Sequence, residues 1–567
     1  MDFQTHSETT GFQETSRYPE TIEFSKRLAA ASDWIQYTTF GRSPEGRDLP
    51  LLIVSNEHIF TADEARRSNK IVILVLNGIH PGEIAGKEAS FMLLREMAVT
   101  KQKQQLLENL ILLVVPIYNV DGHERCGPYN RINQNGPKEM GWRTNSRNRN
   151  LNRDWIKAEE SETRDLLKLY GSWLPHFVID NHVSDGADFQ YDLTYILDDN
   201  ARVAPSLLGY LQGSFVPRIE KRMAEAGHTV APYFELRDQT DPAAGLNIGP
   251  TTARFSNGYG TLQNRPTVTV ETHMLKSFET RIRAHYDFME IIFECFSREP
   301  AALRDAVRIA DQETMRMANE YPVRLILNEE QSEPFVYRGI EYSRVLSPIS
   351  GTMRVIYGKK PVAMQVRYFK SMEAEKTIVP PAGYLIGPQW KDAIACLQSH
   401  GIQFTRLKQE VSADFETYRF KNVSWNPGPF EGHFMARFET EKIVEHRTFP
   451  VDSLFIRLDQ RTNKVIIEIL EPDAADSLVA WGYFNAIFED KEYAEAYILE
   501  DLAEKMFAND PLLAGEFQQL VWTDPTFASD PTARLNFFYA RSPYRDARKN
   551  VYPIVRVTNS DSIQKAL

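Results

Sequence analysis

The chain is poor in cysteine. Its three, Cys126, Cys295 and Cys396, lie far apart and form no CxxC pair. That argues against a disulfide framework and against a thiolate metal site. No apolar run approaches the length of a membrane span, and the polar start Met1–Glu8 is no secretory leader. The expectation is therefore a cytoplasmic protein, or a periplasmic or secreted one whose leader has been removed. There is no basic stripe: the formal net charge is -12, so nucleic acid is not an expected partner. The absence of any G-x-S-x-G disfavours a serine hydrolase. Repeats and low-complexity segments are missing as well. With 42% hydrophobic and 25% charged residues, the composition is that of an ordinary globular protein. At 567 residues it is too long for one core and should divide into two or three domains.

Chemistry concentrates first in Ile71-Val-Ile-Leu-Val-Leu-Asn-Gly-Ile-His80-Pro-Gly-Glu83. The unbroken apolar run suits a strand covered on both faces. Asn77-Gly78 breaks it, Pro81-Gly82 turns the chain, and a helical pattern runs from Ile84 to Met97. His80 and Glu83 thus fall where a strand end meets a helix start, the place where open α/β sheets bind ligands. An imidazole and a carboxylate on one turn can both reach a single divalent metal, and that pair suits zinc. By spacing alone an HxxE is expected by chance in a chain of this composition, so its weight comes from this setting and from the polar residues at the later strand ends.

There are three more such strands. Leu110–Ile117 is apolar and ends in Tyr118-Asn-Val-Asp-Gly. Strand, helix, strand in this order predicts a mainly parallel sheet flanked by helices. Residues 123–155 form a long loop rich in amides and arginine, with Trp142-Arg143 and Asn152-Arg153. Loops of that length inside a domain are usually functional or disordered, and the tryptophans and amides favour order. Arg131, Arg147 and Arg149 read as solvated. Arg143 and Arg153 suit a bidentate grip on a carboxylate. A third strand, His176–Asp180, ends in Asn181-His182, and Asp180 shares a face with His182 if the strand continues. A fourth, Thr267–Glu271, places Glu271 at its end. Taken singly, a strand-end His is a hydrogen-bonded structural group and a strand-end Glu a salt-bridged rim residue. Together with His80 and Glu83 they suggest an open zinc site and a base.

In this order the residues resemble the zinc carboxypeptidases of the M14 metallopeptidase family, over roughly residues 15–295. The resemblance implies one zinc ion held by His80, Glu83 and His182. It implies Arg143 as the oxyanion clamp, Glu271 as the base acting on a metal-activated water, and Asn152 and Arg153 as the grip on a substrate's terminal carboxylate. The expected partner is then a peptide with a free C-terminal carboxylate, from which the terminal residue is removed. Two features depart from the family pattern. Asn150 stands where the family has an Asp bonded to the first zinc His, which should weaken zinc binding. The family's mobile active-site Tyr has no secure match, and Tyr259 is the nearest candidate. Asp185, Asp188 and Asp192 are contacts available to a basic substrate side chain, or solvated loop acids.

The catalytic part is expected at residues 1–300, opening with an extended arm to about residue 25, then a helical linker at 301–325. From 326 to 567 short strands with Gly and Pro suggest a β-rich, sandwich-like accessory domain, with helices near 491–508 and 510–520. Two other readings stand beside the carboxypeptidase. One is a zinc amidase acting on N-acyl amino acids or cell-wall peptides. The other is a binding protein whose metal site is vestigial, although such a protein has no reason to keep Glu271 and Arg143.

Overall fold

The computed structural model describes residues 3–559 and 563–567. A short helix, His6–Thr9, is closed by a capping box between Thr5 and Glu8. The arm then ends earlier than expected, because the helix Tyr18–Ala31 starts with Pro19 in its first turn. Strands β1 (Ile35–Arg42), β2 (Asp48–Val54), β3 (Ile71–Asn77), β4 (Leu110–Val115), β5 (Phe177–Ser184), β6 (Leu193–Ile196) and β7 (Val230–Pro232) come next. Short β8 (Glu235–Leu236) and β9 (Leu246–Asn247) belong to another sheet, and β10 (Thr267–His273) completes the first. That sheet has the order β1-β2-β4-β3-β5-β10-β6-β7. Its centre, β4-β3-β5-β10, is parallel; β1 and β2 pair antiparallel with their neighbours, β6 is antiparallel to β10, and β7 is parallel to β6. The mainly parallel mixed sheet expected from the strand–helix–strand order is present.

Strand β3 shows why the apolar runs are unbroken. Ile71, Ile73 and Val75 enter a core shared with the helices Ala85–Leu94 and Phe278–Arg298. Val72, Leu74 and Leu76 enter a second core with the helix Ser161–Trp173. Each such side chain leaves water completely, a stabilisation of about 1.5–3 kcal/mol apiece. Every residue of β3, β4 and β5 is buried, so polar groups can be presented only beyond the strand ends or toward a cavity.

The helix Pro300–Met315 leads into the second half. There β11 (Tyr321–Leu327), β12 (Glu333–Leu346), β13 (Met353–Phe369) and β14 (Met372–Ile378) form two ribbons, β11 with β14 and β12 with β13. Strands β15 (Gly383–Ile386), β16 (Thr405–Arg406), β17 (Val411–Trp425), β18 (Ala436–Phe449), β19 (Leu454–Arg457) and β20 (Val555–Val557) form a six-stranded antiparallel sheet. The β-rich character is as expected, with the helices Lys391–Ser399 and Asn463–Leu470 packed on the face that carries Tyr384, Tyr418 and Ile456. Helices 511–523, 525–529 and 531–539 each open with Pro after an Asp cap, at Asp510, Asp524 and Asp530.

The two halves share their second core: Tyr384, Ile386, Phe420 and Ile466 lie in the same cluster as Leu74 and Leu76. Buried polar groups fix the match. Arg202 pairs with Glu468, and Lys464 Nζ donates to Arg202 O and Asn264 Oδ1 at 2.9 Å each. Such groups tolerate only one docking geometry, since separation leaves a charge buried without its partner. Strand β13 also pairs with β9, through Tyr368 and Phe369, next to the segment 248–251. Among the described residues no helix is long and apolar enough to cross a membrane.

On the other side of the sheet, His228 bridges Asp287, at 2.7 Å, and Asp192, at 3.4 Å. These hydrogen bonds, working against burial, push its pKa up to about 9. The raised pKa means that the stabilisation is complete below the unfolded value near 6.5 and is lost as pH rises through about 9. Urea unfolding of the wild type and His228→Gln should therefore differ by about 1–2 kcal/mol near pH 6, after allowance for solvent screening. The curves should converge above roughly pH 10.

Candidate functional site

The parallel strands end on one side of the sheet. β3 runs out into the turn that carries His80 and Glu83, while β5 and β10 are paired in register so that Glu271 lies opposite His182. Gly82 lets the loop approach: a Cβ there would stand 2.7 Å from Arg131 Cγ. The result is a cavity of about 380 Å³. It is lined by His80, Glu83, His182 and Glu271, by Arg131, Arg143, Asn152 and Arg153, and by Asp185, Tyr233, Glu235 and the segment 248–251.

The ligand atoms of His80, Glu83 and His182 all lie within 4.8 Å of one another, and all three residues are buried. Glu83 Oε2 is 3.3 Å from His80 Nδ1 and 2.9 Å from His182 Nδ1. The far nitrogens are oriented separately. His80 Nε2–H donates to Asn150 Oδ1 at 3.0 Å, and the same oxygen accepts from Asn152 N–H at 3.0 Å. His182 Nε2 lies 2.9 Å from Asp180 Oδ2, off the line of a hydrogen bond but close enough for strong attraction. Asp180 is itself held by Ser256 Oγ at 2.5 Å.

The residues fit a zinc ion. Burial, which outweighs the nearby Glu83, brings the His80 pKa down to about 4, so its ring is neutral. With Nε2–H given to Asn150, the Nδ1 lone pair faces a carboxylate oxygen, two acceptors aimed at one point. A cation between them satisfies both, and two imidazole nitrogens plus one carboxylate form an open zinc donor set. Against burial, Asp180, Glu83 and Glu271 hold His182 well above its usual range. Against the same penalty, Arg131, His80 and His182 hold the Glu83 carboxyl well below its own. Arg131 is the closest contact, with Nη2 at 2.5 Å from Glu83 Oε1, and Arg143 Nη1 lies 3.4 Å from that oxygen.

Glu271 differs from Glu83. Burial, with Glu83, Asp185 and Asp180 adding to it and His182 opposing, pushes its pKa up to about 8. Its Oε2 is buried with no hydrogen-bond partner among the described residues. Arg153 is stacked at 4.2 Å on Phe255 and donates to Asn152 O at 2.7 Å. It has no carboxylate partner among the described residues, and burial together with Arg143 and Arg254 lowers its pKa to about 10. Asn152 is buried beside it, its Oδ1 taken by Ser256 N–H at 3.2 Å.

The structure thus brings His80, Glu83, His182, Arg143, Asn152, Arg153 and Glu271 to one cavity. Tyr259 is elsewhere. It is buried against Trp155 and Tyr170 in the second core, with its hydroxyl bonded to His400 and Gln263, because its helix Ser256–Leu262 turns it away from the cavity. The cavity tyrosine is Tyr233, which no motif marks. Of the three loop acids only Asp185 lines the cavity, for Asp188 approaches His273 and Asp192 is held by Thr229 N–H and His228. Arg131, read as solvated, is instead a half-buried ion-pair partner of Glu83. Its signal is visible only in hindsight, as the residue whose side chain the small Gly82 admits.

Asp180→Asn, which keeps size but removes charge behind His182, should weaken zinc binding by roughly 10–100-fold. Competition against a chromophoric chelator reads this directly. His182→Ala should lose tight binding altogether, while a cysteine variant such as Cys396→Ser should leave it unchanged.

Residues 21–171 match the peptidase M14 family model, described as zinc carboxypeptidase. Carboxypeptidase 2 of Trichophyton rubrum is 23% identical over 489 residues, covering 83% of this chain and 85% of that protein. Carboxypeptidase 2 of Trichophyton equinum is 24% identical over 491 residues, covering 83% and 85%. These alignments are longer than residues 1–300 can supply, so they take in part of the second half. Among solved structures, a metallo-carboxypeptidase from Pseudomonas aeruginosa, in complex with (2-guanidinoethylmercapto)succinic acid, is similar at 19% identity. Its TM-score is 0.36, with 50% of this chain and 69% of that one covered. The family model is matched through the HxxE turn and the Asn-Arg loop, so residues 21–171, which carry two of the three metal-site side chains, are similar to the zinc carboxypeptidases of the peptidase M14 family.

Proposed function

We propose that the protein removes single residues from the C-termini of peptides, with Glu271 as the base and Arg153 as the receptor for the terminal carboxylate. Similarity to the M14 zinc carboxypeptidases, together with the His-Glu-His cluster, supports zinc-dependent peptide hydrolysis. The observation that carries the finer reading is an arginine without a carboxylate partner, Arg153, in the same cavity as the His80–Glu83–His182 triad. A half-buried guanidinium without a carboxylate in direct contact favours an anionic ligand, and its planar fork matches a carboxylate. Zinc at the triad supplies a Lewis acid and lowers the pKa of water.

The remaining work belongs to the chain. Arg153, braced by Phe255, orients the terminal carboxylate and so places the last peptide bond near the triad. Arg143, half-exposed at the cavity mouth, supplies a cationic donor for charge developing on the scissile carbonyl oxygen. Glu271, whose free Oε2 and raised pKa suit proton exchange near neutrality, accepts a proton from water and returns it to the departing amine. The cavity's side wall is mixed, with Ile196 and Ile248 beside Asp185 and Glu235. Neither the amidase nor the vestigial-site reading finds an observation of its own.

Blocked dipeptides with a free carboxylate, compared with their C-terminal amides, test this. Glu271→Gln should retain zinc and lose about 10²–10⁴-fold in kcat. Arg153→Ala should raise KM for the free acids by about 10–100-fold while scarcely altering the already poor turnover of the amides. Equal cleavage of acids and amides by the wild type would rule out the carboxypeptidase reading.

A further inference from the structure

The active-site loop is held from the second half of the chain. Strands β17 and β18 are joined by a loop whose tip is a two-residue turn. Phe430 and His433 exchange backbone hydrogen bonds at 2.9 Å, leaving Glu431 at φ 48° and Gly432 at φ 78°. Both central residues of such a hairpin turn need positive φ, where Gly, Asn or Asp is the comfortable choice. Gly432 meets that need, and it also leaves room for the Arg149 guanidinium packed against it. Glu431 does not. A glutamate in the left-handed region is strained, and strain of this kind persists where the surroundings over-determine it.

What Glu431 gains there is one contact: its Oε2 accepts the Asn150 N–H at 2.9 Å. Asn150 in turn presents Oδ1 to His80 Nε2–H and to Asn152 N–H. Glu431 therefore stands one residue behind the zinc triad and at the start of the turn that carries Arg153, on whose charge it acts. Its own footing is rigid. Phe430 stacks on Trp481 at 5.9 Å, and His433 stacks on Tyr483 while reaching Glu159 at 2.8 Å. Tyr483 donates to the other oxygen of Glu159, also at 2.8 Å.

We propose that Glu431, contributed by the second half of the chain, is a positioning residue of the metal site. Its carboxylate holds the Asn150 backbone so that Asn150 Oδ1 keeps His80 in the Nε2–H tautomer, with Nδ1 turned to the metal. The charged partner missing at position 150 is thereby supplied from one residue further out, across the junction of the two halves. Ordering the second half and loading the metal are then coupled. This inference rests on His80 as a zinc ligand.

Full-length protein tests it by zinc competition titration and thermal unfolding of the metal-free form. Glu431→Gly removes the carboxylate and relieves the positive φ, so the metal-free protein should unfold at the same or a higher temperature while zinc affinity falls about 10-fold or more. Glu431→Gln keeps an acceptor oxygen and should recover most of that affinity. In an Asn150→Ala background, Glu431→Gly should cost no further zinc affinity, because the path to His80 is already cut. Wild-type zinc affinity in Glu431→Gly overturns the proposal. So does a full, additive loss in the Asn150→Ala background, including the case where Glu431→Gly also unfolds earlier. His80→Ala keeps the premise separate: wild-type zinc affinity there would dismiss the ligand assignment itself rather than the role of Glu431.

Discussion

The buried Glu83 carboxylate is the constraint on which the rest of the site depends. A carboxylate removed from water costs several kcal/mol unless cations and donors surround it. Here Arg131, His182 and the Val183 N–H at 3.2 Å do so from two distant parts of the chain. That requirement fixes β5 beside β3, so that His182 arrives from the next strand end. It folds the loop after β4 back over the site, so that Arg131 arrives from above, and it keeps position 82 free of a side chain. A cation shared with the two imidazoles would complete the neutralisation, and metal binding and local folding would then be one equilibrium.

The second half carries a structural part of the same site. Its core is continuous with that of the catalytic half through Leu74, Leu76, Tyr384 and Ile466. Three of its contacts reach the cavity walls. Tyr368 donates to the Tyr233 carbonyl at 2.7 Å, Phe369 O accepts from Ile248 N–H at 3.1 Å, and Asp476 grips Arg254 beside Phe255 at 2.6 Å. These cavity walls are thus braced by residues far later in the chain. Deleting the second half would strip one face of the sheet and expose a large apolar surface, a route to aggregation rather than to a smaller enzyme.

The strand ends are legible in the sequence because burial on both faces leaves an unbroken apolar run, and the first polar residues after it can only sit at the rim. His80 and Glu83 obey that rule, whereas His182 and Glu271 lie inside β5 and β10 close to their C-terminal ends, and β10 alternates Thr with Val before Glu271. Arg143 and Arg153 are legible through their Trp and Asn neighbours and the family pattern. What stays hidden is long-range. Arg131 looks like any loop arginine until Gly82 is seen beneath it. Tyr259 shares the composition of a catalytic loop, yet its helix sends it into the core, while Tyr233 lies just beyond a short strand without periodicity. Glu431 is separated from Asn150 by about half the chain, and only the positive φ of its turn marks it. Asn150 shows the limit in the other direction: its identity predicts a weakened outer partner for His80, but not the carboxylate behind it.

The most direct test of the account is X-ray absorption at the zinc edge, on protein loaded with one equivalent of zinc. The account predicts only nitrogen and oxygen neighbours at about 2.0–2.2 Å. Imidazole multiple scattering should correspond to two histidines, falling to one in His80→Ala. Sulfur scattering near 2.3 Å, or a spectrum unchanged by His80→Ala, would place the metal elsewhere and contradict it.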